Sequence, residues 1–237
     1  MAQRQIVLDT ETTGLNAKLG DRVIEIGCIE ILSRRITERS FHSYVNPERD
    51  IEEGAAKVHG LTREFLADKP RFAEVAAGFL DYVRGAELVI HNADFDLEFL
   101  EAELALAQRG PLAREVAGVV DTLALARELH PGKRNSLDAL CERYAVNNSH
   151  RTLHGALLDA RLLAEVYLAM TRGQESLVME LEAPAAGVAA VAAHVDPARL
   201  VVLRASADEL TAHEKVLDGI DQAAKGGSVW RRTASST

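Results

Sequence analysis

The hydrophobic pattern changes its period partway along this chain, and that change restricts the fold more than any single motif. Residues 4–9, 23–32 (VIEIGCIEIL) and 35–45 read as strands, the last two joined through Ser33-Arg34-Arg35. In the second of them Val23, Glu25 and Gly27 fall on one face and Ile24, Ile26 and Cys28 on the other. Beyond residue 70 helix and strand alternate. Residues 70–85 carry Phe72, Val75, Ala76, Phe79 and Val83 at helical spacing, and ELVIHN (87–92) is a strand. A helix runs from Asp94 to Gln108 and stops at Gly110-Pro111, followed by a short strand, GVVDT (118–122). Helical segments at 123–129, 136–144 and 153–173 complete the domain. Strands that begin antiparallel and continue with βα crossovers predict an α/β fold with a mixed sheet flanked by helices. In such sheets ligands bind at the carboxyl ends of the strands.

The first strand runs into acids: IVLDTETTG (6–14) places Asp9 and Glu11 two apart, hence on one face. Like charges that close repel, and burying them costs several kcal/mol per ion unless something compensates. Asp96 follows the strand VIHN in the first turn of a helix, where an acid facing the helix dipole is equally ordinary. Asp159 lies on the apolar stripe of its helix with Leu162, Leu163, Val166 and Met170, so it needs either an arginine partner or a metal. His154 is five residues earlier and off that face, but Gly155 after it lets the imidazole turn inward. His91, in VIHN, is a rival histidine and reads as a buried strand residue. Taken together, four acids and one histidine form an oxygen-rich donor set suited to two Mg²⁺ or Mn²⁺ ions, which would supply the missing compensation.

The remaining features bound the context. With 47% hydrophobic and 27% charged residues and a net charge of −9, the chain has no broad basic face for gripping nucleic acid. Bound cations would change that sign locally. Cys28 and Cys141 are too few for a disulfide framework and read as buried thiols. There is no signal peptide and no membrane span, so the expectation is a soluble, cytoplasmic protein. Residues 182–198 are rich in Ala and Pro and read as a linker between a domain at 1–181 and a tail at 199–237. In the tail RLVVLRA could be a strand. Ser206 and Glu209 form a capping box, and Leu210, His213, Leu217 and Ile220 make a stripe that so small a piece cannot bury alone.

At this point the residues resemble a known family. Asp9-Thr10-Glu11, NADFD (92–96) and the His154/Asp159 pair resemble the three exonuclease motifs of the histidine-containing branch of the DEDD superfamily. VHGL (58–61), DKP (68–70), PGKRNSLDALCERY, RTLHGALLDARLLAEVYLAMT and the ending GGSVWR are similar to the family of bacterial DNA polymerase III epsilon subunits. The resemblance implies a ribonuclease H-like fold and proofreading 3′→5′ hydrolysis, with single-stranded or frayed 3′ DNA ends as substrate. It implies that Asp9 bridges two metals, that Glu11 and Asp159 hold the one carrying the attacking water, that Asp96 serves the second, and that His154 is the general base. By the same resemblance Thr12, Thr13, Gly14 and Leu15 would approach the terminal nucleotide, with His59 and Phe95 holding its base and Lys133 and Arg134 near phosphates. Gln174, Leu177 and Met179 would bind a sliding clamp. The tail, through Leu210, Leu217, Ile220 and Trp230, would bind the polymerase alpha subunit, and a small theta-like subunit is a further expected partner. Two other readings stay open: a free-standing enzyme trimming RNA 3′ ends, and an assembly adaptor with an idle nuclease domain.

Overall fold

Ile6, Val7 and Leu8 lie at the centre of the first strand, each fully buried. The computed structural model describes residues 4–151, 153–172 and 205–223. Five strands form one sheet: β1 (Arg4–Thr12), β2 (Val23–Leu32), β3 (Arg35–Tyr44), β4 (Glu87–Ile90) and β5 (Gly118–Asp121). Their order is β3-β2-β1-β4-β5, with β1, β2 and β3 antiparallel and β1, β4 and β5 parallel. This is the mixed sheet that the change of period predicts. Ser33 and Arg34 both take positive φ (48° and 60°) in the β2–β3 hairpin, as a two-residue turn matched to strand twist requires.

Helices cover both faces. On one side Ile6, Leu8, Val23, Ile26 and Cys28 pack with Phe72, Phe79 and Val83 of α3 (Phe72–Val83) and Phe99 and Leu100 of α4 (Ala93–Leu106). On the other, Val7, Ile29, Ile31 and Val89 pack with Leu162, Leu163, Val166 and Met170 of α7 (Ala156–Met170). The alternation along β1 thus feeds two cores, which is why its apolar run is continuous. Helices α5 (Thr122–Leu129) and α6 (Leu137–Tyr144) join the second core, and Cys141 of α6 is a buried free thiol like Cys28, its pKa pushed up by burial to about 11.

Three details depart from the pattern reading. β1 continues three residues further, to Thr12, so Asp9 and Glu11 belong to the paired strand and face Gly27 and Glu25 of β2. The register shifts between Glu11 and Thr12, leaving Ile24 opposite no residue. This bulge returns Val23 to the side of Ile26 and Cys28, so it does not share a face with Glu25 and Gly27. Two short helices were not legible: α1 (Glu53–His59) and α2 (Arg63–Leu66). Each buries one residue, His59 and Leu66 respectively, so neither carries an apolar stripe to read.

The chain divides into two compact units, Met1–Met179 and Glu180–Thr237. In the second, α8 (Ala207–Ala223) begins as its capping box predicts: Glu209 N–H donates to Ser206 Oγ, and Ser206 N–H donates to Glu209 Oε2. Leu217 is buried while Leu210 and Ile220 are exposed. Gln174, Leu177, Met179, the 182–198 segment, RLVVLR and Trp230 lie outside the described residues. Among the described residues no helix is long and apolar enough to cross a membrane.

Candidate active site

The carboxyl end of β1 opens into a cleft of about 770 Å³. Asp9, Glu11, Asp96, His154 and Asp159 all line it, although they come from β1, α4, α7 and the segment before α7. Each is placed by identifiable local structure. Asp9 and Glu11 project from one face of β1. Asn92 takes the left-handed conformation (φ 67°) and turns the chain directly from β4 into α4, its N–H donating to Asp121 Oδ1 at 3.1 Å. Asp96 then lies against β1, where its Oδ1 accepts from Thr10 N at 3.0 Å and Thr10 Oγ1 at 2.7 Å. Gly27, opposite Asp9, admits the first turn of α7, since a β-carbon there would overlap the backbone of Ala156 and Leu157. That approach brings Asp159 over the strand.

Ligand atoms of Glu11, His154 and Asp159 lie within 4.8 Å of one another, close enough to share a cation. The electrostatics agree. Burial, then the charges of Asp96, Glu11 and Asp159, hold the Asp9 carboxyl well above the usual carboxylate range. Burial first, with Asp159 and Glu25 behind it, pushes Glu11 up to about 8. Asp96 is raised by burial to about 7 despite its two bonds from Thr10. A group of buried oxygens that resists ionisation is one that a hard dication would stabilise, so these residues fit Mg²⁺ or Mn²⁺.

Arg151 was not anticipated as a member of the site. It donates from Nε and Nη2 to the two oxygens of Asp159, both at 2.6 Å, and from Nη1 to Asp138 Oδ1 at 2.7 Å. The arginine partner left open for Asp159 is therefore real. The sequence gives the type of partner, a cation for a buried acid, but not which residue supplies it.

The histidines are resolved by their contacts. His154 N–H donates to Val58 O of α1 at 3.1 Å, which fixes the backbone. Gly155 is in extended backbone (φ −161°) with open space around it, so the inward turn of His154 does not depend on glycine. Burial and the Arg151 charge lower the His154 pKa, keeping the ring neutral. His91 lies just past the end of β4, half-buried, with Nδ1 2.9 Å from Thr122 Oγ1; it lines the cleft and is not a strand residue. His59 is buried at the end of α1, and its Nδ1 accepts from Leu61 N at 3.0 Å. Its proton is then on Nε2, which is buried.

The other expected contacts divide. Thr12, Gly14, Leu15, Phe95, Lys133 and Arg134 line the cleft, with Arg127 beside them on the basic wall. Thr13 does not: it is fully buried, its Oγ1 donates to Asp21 Oδ1, and its N–H and C=O pair with Arg22 and Glu52. The neighbour that requires glycine at position 14 is the Asp21 carboxylate, which a β-carbon would overlap.

A mixed sheet with clustered acids at the carboxyl end of its first strand defines a nuclease fold, and the exonuclease family model matches residues 6–167. The chain is 53% identical over 238 residues to the DNA polymerase III subunit epsilon of Salmonella typhimurium, covering 96% of this chain and 97% of that one. It is 52% identical to the Escherichia coli subunit with the same coverage, and 47% identical to that of Haemophilus influenzae (96% and 94%). It belongs to the exonuclease family and, within it, to the DNA polymerase III epsilon subunits. Among solved structures, exonuclease X in complex with 5′-overhanging duplex DNA superposes with a TM-score of 0.57 at 27% identity, covering 72% of this chain and 92% of that one. An E. coli exonuclease I–single-stranded DNA complex in its zinc-bound form shares the fold (TM-score 0.63, 19% identity, 73% and 41% covered).

Proposed function

We propose that the cleft removes the 3′-terminal nucleotide of a single-stranded or frayed DNA end, the proofreading step of replication by DNA polymerase III. The observation that carries this reading is the convergence of Glu11, His154 and Asp159 within 4.8 Å, beside Asp9 and Asp96, in a chain of the epsilon family. Water oxygen attacks the phosphorus, the bond to the 3′ oxygen of the preceding nucleotide breaks, and a nucleoside 5′-monophosphate leaves a chain with a new 3′ hydroxyl.

Asp9, Glu11, Asp96 and Asp159 would hold two divalent cations, Mg²⁺ or Mn²⁺. Such ions neutralise charge on the phosphoryl group and lower the pKa of bound water. The side chains of this protein do the rest. His154, neutral near pH 7, takes the proton of the attacking water on a ring nitrogen, a contribution typically of about 10²–10⁴ in rate. Arg127, Lys133 and Arg134 line the wall where phosphates of the strand would run. His59 would lie beside the terminal nucleotide, with Leu15, which is 81% exposed, and Phe95 as its apolar contacts. This lining carries no set of side chains that would read one base, as suits an enzyme that must excise any of them. A mispaired end enters more readily because it costs less to unpair.

The second unit would carry the partner contacts. The exposed Leu210 and Ile220 on α8 would dock on the alpha subunit. A sliding clamp at Gln174, Leu177 and Met179, and a theta-like subunit, remain proposals on sequence grounds.

The decisive assay is release of mononucleotides from 3′-labelled DNA and RNA oligonucleotides of one sequence. Cleavage of DNA that needs Mg²⁺ or Mn²⁺ and disappears in Asp9→Asn supports the reading. Full activity in a chelator, or a strong preference for RNA, overturns it.

A further inference from the structure

Arg151 engages two functional groups of the site with one guanidinium. Its side chain is 7% exposed, and Nε and Nη2 each lie 2.6 Å from an oxygen of Asp159. Nη2 also lies 3.0 Å from His154 Nδ1. A guanidinium has donors and no acceptor, so Nδ1 must be the unprotonated nitrogen and its lone pair is occupied. The same fork therefore covers both oxygens of one acid and the proton-accepting atom of the base. Its positive charge also favours the ionised forms of Asp9 and Glu11, against their burial and mutual repulsion. Arg151 and a dication would thus compete for the same carboxylate, because the fork already takes one lone pair on each of its oxygens.

We propose that Arg151 is a resting-state counter-ion that occupies the cation's place at Asp159 and is displaced when a cation binds, which also releases His154 Nδ1 from its hydrogen bond to the guanidinium. The inference rests on the reading of Asp159 as a metal ligand. Displacement needs no long excursion. Asp138, whose side chain is 59% exposed at the cleft, holds Nη1 at 2.7 Å and can retain the guanidinium there after it leaves Asp159. A charged fork is suited to this role, because bidentate arginine–carboxylate pairs keep an acid fixed and ionised without filling the cleft.

Two measurements on the full chain test this. The Nε–Hε NMR resonance of Arg151, assigned by its absence in Arg151→Gln, should shift and exchange faster with solvent as Mg²⁺ is added to the wild type. A resonance that Mg²⁺ leaves unchanged, in a chain that binds Mg²⁺, overturns the inference while sparing the metal site. In Mn²⁺ titrations followed by the EPR signal of the free ion, Arg151→Gln should bind about tenfold more tightly than wild type, since a competing cation is gone. Arg151→Lys, with charge but no fork, should fall between them. The metal-free Arg151→Gln chain should melt below wild type, and saturating Mn²⁺ should close the gap. Weaker Mn²⁺ binding by Arg151→Gln, with a gap that persists, would mean that Arg151 merely orients Asp159, against the proposal. A wild type that binds no Mn²⁺, or Asp159→Asn binding it as well as wild type, would remove the metal-ligand reading and this inference with it.

Discussion

Gly27 of β2 lies directly beneath Ala156 at the start of α7, so close that no β-carbon fits between them. The strand glycine thereby sets the height of the helix that carries Asp159 above the strand that carries Glu11. Gly27→Ala should lift that first turn. Overpacking of this kind costs about 1–3 kcal/mol, read as a lower urea midpoint, and Mn²⁺ affinity should fall as the ligand atoms separate. Gly54→Ala is the control, since open space surrounds Gly54. Wild-type stability and metal affinity in Gly27→Ala would show that α7 does not depend on this contact.

Charge repulsion at Asp9 predicts a separation of stability from activity. Its carboxyl is held above its ordinary range by burial and by Asp96, Glu11 and Asp159. Asp9→Asn replaces a buried carboxyl whose ionisation is disfavoured with a neutral amide of the same shape, so the metal-free variant should melt no lower than wild type. Its release of 3′-terminal nucleotides should drop by about 10²–10³-fold or more, as expected when electrostatic stabilisation at the reacting group is lost. The rise in melting temperature that Mg²⁺ or Mn²⁺ gives the wild type should shrink as well. A destabilised metal-free Asp9→Asn would contradict the electrostatic account.

The pH dependence has a definite sign between pH 7 and 8.5. Glu11 titrates near 8 in the folded chain, chiefly because it is buried, and near 4.3 when unfolded. Over this window the folded state keeps a proton that the unfolded state has released, so stability falls as pH rises. The contribution is fully present only below the unfolded pKa and is lost as pH passes the folded one. Asp9 and Asp96, also raised chiefly by burial, act in the same direction as Glu11, whereas His59, His91 and His154, all lowered by burial, act in the opposite one at lower pH, around 6.5 and below. Metal-free wild type should therefore lose roughly 1 kcal/mol from pH 7 to 8.5 in chemical denaturation. Glu11→Gln and Mn²⁺-loaded wild type should both show a flatter profile; a metal-free Glu11→Gln as steep as wild type would place the titrating group elsewhere.

How much of this was legible depended on whether a residue's role leaves a periodic mark. Asp159 was visible because it interrupts an apolar stripe, and Asp9 and Glu11 because they end one. The five strands followed from period and turn residues. His59 and the wall built by α1 left no such trace, because a helix of seven residues that buries only its last one shows no stripe. The β2 bulge at Ile24 is equally silent in sequence, since VIEIGCIEIL alternates as well with a bulge as without. Thr13 shows the opposite failure. It adjoins residues that face the cleft, but its hydroxyl is committed to Asp21. Arg151 was foreseen as a type of partner and not as a residue, because its eight-residue separation from Asp159 corresponds to no helical spacing.

The role proposed for His154 separates proton transfer from metal binding. Its ring is 45% exposed, its basicity is lowered by burial and by Arg151, and its Nδ1 lies 3.4 Å from Asp159 Oδ2. With the base role proposed for it, replacement by glutamine should cost about 10²–10⁴ in kcat with little change in Mn²⁺ affinity. The rise of rate with pH through the histidine range should vanish in the same variant. Loss of Mn²⁺ affinity in His154→Gln would instead make the imidazole a ligand, which its place among the clustered donor atoms also permits geometrically.

The last prediction concerns the tail. Among the described residues, the two hydrophobic cores of the nuclease unit draw on residues from Ile6 to Met170. A chain ending after residue 181 should fold and degrade single-stranded DNA within about twofold of the full-length rate, because it retains every one of those core residues. Leu210 and Ile220 remain 54% and 42% exposed on α8, an apolar surface more suited to a partner than to solvent. The truncated chain should therefore fail to co-elute with the polymerase alpha subunit in gel filtration. Leu210→Glu with Ile220→Glu in the full chain should weaken that complex without altering nuclease rate. Undiminished co-elution of the truncated chain would transfer the docking surface to the nuclease unit, whatever the double variant does.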